Sequence, residues 1–185
     1  GGEVERSEGK KIVNIGHVGP LTGPIAHLGK DNERGAELAV DEANELDLVI
    51  DGVPIQFRLL SEDDEANPQK ATVVAQKLVD SDIVGVVGHL NSGTTIPAST
   101  IYFDSGIPQV SPSATAITYT HQDYQTAHRV MANDEQQGKV LGDYAVKTLG
   151  AKGIAMIDDR SAYGKGLADE FESAIKDAGG KILTR

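Results

Sequence analysis

Residues 88–115 read GHLNSGTTIPASTIYFDSGIPQVSPSAT, and this stretch decides the fold. The apolar run Ile83-Val84-Gly85-Val86-Val87 leads into it and predicts a strand buried on both faces. Gly88 ends that strand, and Asn91-Ser92-Gly93-Thr94-Thr95 follows with amide and hydroxyl groups. A helix is predicted from there to Ser105, with Pro97 tolerable only in its first turn. A second strand, Ile107 to Val110, runs into Ser111-Pro112-Ser113-Ala114-Thr115. In an open α/β sheet both loops would leave the carboxyl ends of parallel strands, where such folds place their ligands. A helix N-terminus there presents unpaired N–H groups and a partial positive charge, which suit a carboxylate.

The same residue types also cap helices, at about 1 kcal/mol each. Capping explains one such loop. It does not require a second cluster after the neighbouring strand, so the pair points modestly to a site for a small anionic or zwitterionic molecule.

Strands and helices alternate on either side of this stretch. Lys11 to Val18 reads as a strand, followed by the turn-rich Gly19-Pro20-Leu21-Thr22-Gly23-Pro24. A helix over about 30–46 carries Gly35, Leu38, Ala39, Ala43 and Leu46 on one face. Pro54 to Leu60 alternates as a strand, and Asn67-Pro68 places a cap before a proline at the first helical position. Ala71, Val74, Ala75, Leu78 and Val79 then repeat at helical spacing. Later come a helix over about 135–149, a strand over 153–157, a helix over about 163–178 and a strand over 181–184. This order predicts an α/β fold, a parallel sheet flanked by helices.

The stretch from Ser111 to Asn133 is long and turn-rich, and such connections often mark function or a boundary. We place a crossing near Met131-Ala132-Asn133. The division is then a disordered segment over 1–10, a first lobe over 11–132, and an incomplete second lobe over 133–185. The last part is too short to enclose a core of its own, so the chain is expected to be truncated.

Composition bounds the partners. The net charge is −11, from 17 basic and 28 acidic residues, which argues against nucleic acid or an anionic membrane surface. Cysteine is absent, which removes disulfides, thiol nucleophiles and thiolate metal sites. No run approaches the roughly 18 apolar residues that span a membrane. Gly1 to Lys11 is polar and has no apolar signal-peptide stretch.

Catalytic readings find little support. Gly16-His17-Val18-Gly19 does not have the G-x-G-x-x-G spacing, and no Walker pattern occurs. Ser92 lies outside a G-x-S-x-G elbow. The histidines show no metal-ligand spacing, and Ser61-Glu62-Asp63-Asp64-Glu65 reads as a solvated charged turn rather than a cation loop. No catalytic residue, metal or cofactor is expected.

Several motifs in order resemble the branched-chain amino-acid (Leu/Ile/Val) binding proteins of bacterial ABC importers, which are type I periplasmic binding proteins. They are Gly19-Pro20-Leu21-Thr22-Gly23-Pro24-Ile25-Ala26, Asp63-Asp64 with Asn67-Pro68, and Gly88-His89-Leu90-Asn91-Ser92. Pro97-Ala98-Ser99, Ser111-Pro112-Ser113-Ala114-Thr115 and Asp158-Asp159-Arg160-Ser161-Ala162-Tyr163-Gly164-Lys165-Gly166 continue the series. The resemblance implies two α/β lobes closing on a ligand, a periplasmic location and an ABC permease as partner. It implies that the Ser92 hydroxyl and nearby N–H groups, Gly93 among them, hold a ligand carboxylate. It further implies that Ser113, through its carbonyl, the adjoining Ala114, and Thr115 hold the carboxylate and ammonium groups, with Tyr163 arriving from the second lobe. Leu28 stands where amino-acid binders often have an aromatic over the side-chain pocket. The acidic partner for the ammonium is expected beyond Arg185. A ligand-sensing receptor domain on the same fold is the alternative, and an α/β enzyme a weaker one. The truncated chain is expected to self-associate.

Overall fold

The apolar runs become parallel strands because helices cover them. The computed structural model describes residues 6, 7 and 9–185. Its central sheet has the order β3-β4-β2-β5-β6-β7. The strands are β2 (Lys10–Gly19), β3 (Val49–Ile50), β4 (Val53–Asp63), β5 (Ile83–Gly88), β6 (Gln109–Ser111) and β7 (Ala127–Arg129). β2, β4, β5, β6 and β7 run parallel, β3 pairs antiparallel with β4, and β1 (Arg6–Ser7) pairs antiparallel with the start of β2. Most of the 1–10 segment expected to be disordered lies outside the described residues. The earliest long parallel strand, β2, sits between β4 and β5. The chain therefore changes direction across the sheet beside β2, and ligand crevices form at such switch points.

The core lies between the sheet and two helices, α2 (Pro68–Val79) and α3 (Ser92–Asp104). Val18, Val74, Ala75, Leu78, Ile83, Val86, Ala98, Tyr102 and Ile107 are buried together there. The periodic face expected for α2 is the buried one, and the Asn67 side chain caps it by accepting from Gln69 and Lys70 N–H. Burying a side chain the size of Leu78 stabilises the fold by roughly 1.5–3 kcal/mol.

Three local expectations are corrected. β5 is not buried throughout: Val84 is 55% exposed. The pairing register slips between Asn14 and Ile15, so Val84 is an extra residue pushed out of the ladder. In α1 (Ala26–Glu45) the expected stripe faces water, with Leu38 60% and Leu46 69% exposed. Gly29 and Ala36 are buried instead, and Asn44 bonds both main-chain groups of Phe57 at 2.9 and 2.7 Å. α3 begins at Ser92, so Pro97 falls in its second turn and supplies no N–H donor for the Gly93 carbonyl.

The chain from Ser111 to Asn133 contains α4 (Ile117–Thr120) and β7, a short polar strand without the alternation that would have predicted it. Beyond it, α5 (Asp134–Asp143) continues as a π-helical turn over Tyr144–Thr148 and packs on α6 (Ala162–Asp177). β8 (Ile154–Ala155) and β9 (Ile182–Thr184) form a separate parallel pair. Glycine explains the close helix seam. A Cβ on Gly138 would stand 2.6 Å from the Glu170 Cβ, and one on Gly142 would stand 2.5 Å from the Ala174 Cβ.

Candidate functional site: a cleft at the β2–β5 switch point

The acidic run at the end of β4 positions the first wall of the site. Asp63 accepts from Leu21 N–H at 2.8 Å and from the Thr22 hydroxyl at 2.5 Å, and so holds the loop after β2. Burial raises the Asp63 pKa, but the Thr22 hydroxyl and the N–H groups of Glu65 and Leu21 outweigh it and leave it below the usual range. Asp64 is fully buried and bonds His89 Nδ1 at 2.8 Å, while His89 Nε2 lies 3.2 Å from the Tyr102 hydroxyl. The run is thus a brace between loops, which corrects the solvated-turn reading. Among the described residues no group of acidic and histidine side chains has the arrangement of a metal site.

The two hydroxyl loops are stitched to each other. Ser111 donates to His89 O at 2.7 Å and Ser113 to Leu90 O at 3.1 Å, while Ser92 Oγ accepts from Ala116 N–H at 3.2 Å. Much of the hydroxyl content is therefore structural, and neither capping nor ligand contact had predicted this cross-bracing. Ser92 retains its own O–H as a donor, since a hydroxyl can accept and donate together.

The N-terminus of α3 is unlike those of α2, α5 and α6. Asn67, Asn133 and Ser161 each cap their helix with a side chain. Asn91 occupies the same position before α3 but makes no capping bond, and its Oδ1 is buried without a partner. The first-turn N–H groups at Ser92 and Gly93 thus have no side-chain cap.

These residues line a cleft of about 610 Å³. One wall is Ile25, Leu28, Leu90, Asn91, Ser92, Gly93 and Ser113; the other is Asp159, Ser161, Ala162 and Tyr163 from the start of α6. The walls approach closely at Gly93, where a Cβ would sit 3.7 Å from the Ala162 Cβ. The Asp159 carboxylate accepts from Ser161 N–H at 2.9 Å. The Ser161 hydroxyl and N–H hold its pKa below the usual range, so it is charged at neutral pH.

Of the residues expected at a site, the structure brings together Leu28, Ser92, Gly93, Ser113 and Tyr163. It leaves Ala114 and Thr115 behind the wall. Ala114 is buried, with its N–H on Ser111 Oγ and its carbonyl on Arg129 at 2.7 Å. The Thr115 carbonyl accepts from Asp134 N–H at 2.9 Å. Sequence reasoning did not single out Asn91 and Asp159, which also line the cleft. The signal for Asp159 was its place two residues before the Ser161 cap, which sets it at the mouth of α6.

Residues 12–185 match the family described as periplasmic binding protein. The Brucella abortus protein named Leu/Ile/Val-binding protein homolog 1 is 39% identical over 170 residues, covering 92% of this chain and 44% of that protein. A Pseudomonas aeruginosa leucine-, isoleucine-, valine-, threonine- and alanine-binding protein is 35% identical over 170 residues, covering 92% and 45%. The branched-chain amino acid transporter substrate-binding protein LivJ from Streptococcus pneumoniae, solved in complex with isoleucine, is 33% identical with a TM-score of 0.80. That match covers 94% of this chain and 49% of the other. The chain spans under half the length of the curated relatives it matches. With the cleft at the switch point of a parallel sheet and this match over nearly all its residues, the chain belongs to the periplasmic binding protein family.

Proposed function

We propose that this chain is part of a periplasmic solute-binding protein that captures a free amino acid, with a small aliphatic side chain, and delivers it to an ABC permease. Residues 11–132 form its first lobe and 133–185 belong to the second. The observation that carries the reading is the pair of opposite charges across the cleft. The uncapped first turn of α3 faces it from one wall and the Asp159 carboxylate from the other. A zwitterion satisfies both: its carboxylate takes the Ser92 and Gly93 N–H groups and the Ser92 O–H, and its ammonium faces Asp159. Leu28, Ile25 and Tyr163 supply apolar surface for the side chain. The relatives from P. aeruginosa and S. pneumoniae support the ligand class through the amino acids in their descriptions.

Calorimetry on the full-length protein tests this with L-leucine, L-isoleucine and benzoate. The two amino acids are expected to bind, and benzoate, which has no ammonium, to bind far more weakly. Asp159→Asn keeps the Oδ1 acceptor for Ser161 and removes only charge. A lost charged contact of about 1.5–3 kcal/mol corresponds to roughly 10- to 150-fold in affinity, expected for the amino acids alone. Benzoate binding more tightly than either amino acid would overturn the assignment.

A further inference from the structure

We propose that His89 is a positioning residue, whose ring and carbonyl fix the axis of α3 and so aim the Ser92 and Gly93 N–H groups at the ligand carboxylate. This rests on the cleft being the ligand site. His89 follows the last residue of β5 and is fully buried, as are Asp64 just beyond β4 and Tyr102 in α3. Its ring lies between them, with Nδ1 2.8 Å from Asp64 Oδ2 and Nε2 3.2 Å from the Tyr102 hydroxyl. A carboxylate only accepts, so Nδ1 carries the ring proton, and Nε2 accepts from the Tyr102 O–H. Burial, with the Asp64 charge and Tyr119 adding to it, pushes the Tyr102 pKa up and keeps that proton on the hydroxyl. The other Asp64 oxygen accepts from Ala66 N–H at 3.0 Å. One tautomer thus satisfies every polar atom from Asp64 to Tyr102.

The main chain of His89 supplies a second hold. Its carbonyl accepts from the Ser111 hydroxyl at 2.7 Å and from the Thr95 hydroxyl at 3.1 Å. Thr95 and Tyr102 are seven residues apart, so they share a face of α3 and lie about 10 Å apart along its axis. Both are buried, and both bond to His89. Two points fix the direction of the helix, whose axis runs out through Ser92 and Gly93 toward the cleft. Asp64 anchors His89 in turn: its N–H donates to Gly19 O at 3.2 Å and its carbonyl accepts from Asn67 N–H at 2.8 Å. No side-chain cap holds the first turn of α3. Its direction is set from behind, by His89, and its terminus stays open on the cleft side. A fully satisfied buried network is rigid, and a site whose supporting bonds are loosened loses affinity with every contact residue still in place.

Tyr102→Phe in the full-length protein removes one hydroxyl and no ligand contact. Calorimetry is run well below the unfolding midpoints of parent and variant, where a loss of stability alone leaves affinity unchanged. There Tyr102→Phe is expected to weaken L-leucine and L-isoleucine by the same factor, about ten-fold, roughly what one buried hydrogen bond contributes. Their ranking is expected to stay that of the parent, because the loss falls on the shared carboxylate. Val74→Ala, which opens the same core from α2, is expected to lower the midpoint and leave both affinities intact. His89→Gln is expected to lose at least as much as Tyr102→Phe; if it fails to fold, Tyr102→Phe decides. Imidazole nitrogen NMR is expected to show His89 protonated at Nδ1 and bare at Nε2. Parental affinity in Tyr102→Phe, an equal loss in Val74→Ala, or the opposite tautomer would overturn the role. If the parent protein binds neither amino acid, the amino-acid reading fails. The Ser92 and Gly93 amide shifts in Tyr102→Phe then decide, and unchanged shifts overturn the positioning.

Discussion

Two residues show how chemistry at a single position reaches the whole protein. Leu28 lies on the cleft wall and is 46% exposed, so its side chain is available to whatever occupies the cleft. Leu28→Trp adds a flat wall there. It is expected to change the ranking among L-leucine, L-isoleucine and L-phenylalanine in calorimetry, with no common loss; equal weakening of all three would make Leu28 remote from the side chain. His17 is fully buried at the end of β2 with neither ring nitrogen bonded. Burial lowers its pKa from 6.5 to about 4, Glu33 and Asp64 opposing and His89 assisting. The unfolded chain therefore binds a proton at His17 that the folded chain refuses. Above pH 6.5 this group costs the fold nothing, and as the pH falls from 6.5 to about 4 stability is lost progressively, by about 3 kcal/mol in all. His17→Leu is expected to flatten the acid limb of the unfolding free energy between those values. Parallel curves for variant and parent would place the acid sensitivity elsewhere.

At the scale of elements, the caps separate stability from binding. The Asn67 side chain bonds two N–H groups at the start of α2, whereas the Asn91 side chain bonds none at the start of α3. Asn67→Ala is expected to cost about 1 kcal/mol in chemical unfolding, and Asn91→Ala close to nothing or a slight gain. An equal loss at both would mean that Asn91 caps α3 in solution and that its N–H groups are not reserved for a ligand. The contrast also shows what the sequence made legible. The α2 face and the Asn67-Pro68 signal were readable because one helix buries one periodic stripe against one sheet. The α1 face was not: Leu38 and Leu46 stay exposed, while the helix is tied to β4 by two bonds from Asn44 to the Phe57 main chain, a partner distant in sequence. The loops at 91–95 and 111–115 were found from composition and position. Their mutual bracing, the open α3 terminus and Asp159 depended on orientation and on partners distant in sequence, which no local pattern encodes.

On the scale of the whole molecule, the two units differ in what they leave uncovered. The central sheet has a closed core beneath α2 and α3. The 133–185 part buries only Met156, Ala174 and Ile175 among its apolar residues. Ile157 is 99% exposed, and Val140, Leu141, Tyr144, Leu149 and Leu183 of the same part are exposed as well. A hollow of about 480 Å³ between Leu141, Met156, Leu167 and Phe171 opens on the same side, next to the short β8–β9 pair. An apolar surface beside unpaired strand edges drives association. The net charge of −11 opposes it. That repulsion is screened beyond about 10 Å at 0.1 M salt, whereas apolar contact is not weakened by salt. The isolated 185-residue chain is therefore expected to self-associate in sedimentation velocity, and more strongly as salt is raised. Ile157→Lys combined with Leu141→Lys places charge on the apolar patch and is expected to return it to a monomer. A parent chain that remains monomeric at high salt would show that this face is too small or too mobile to hold a second copy.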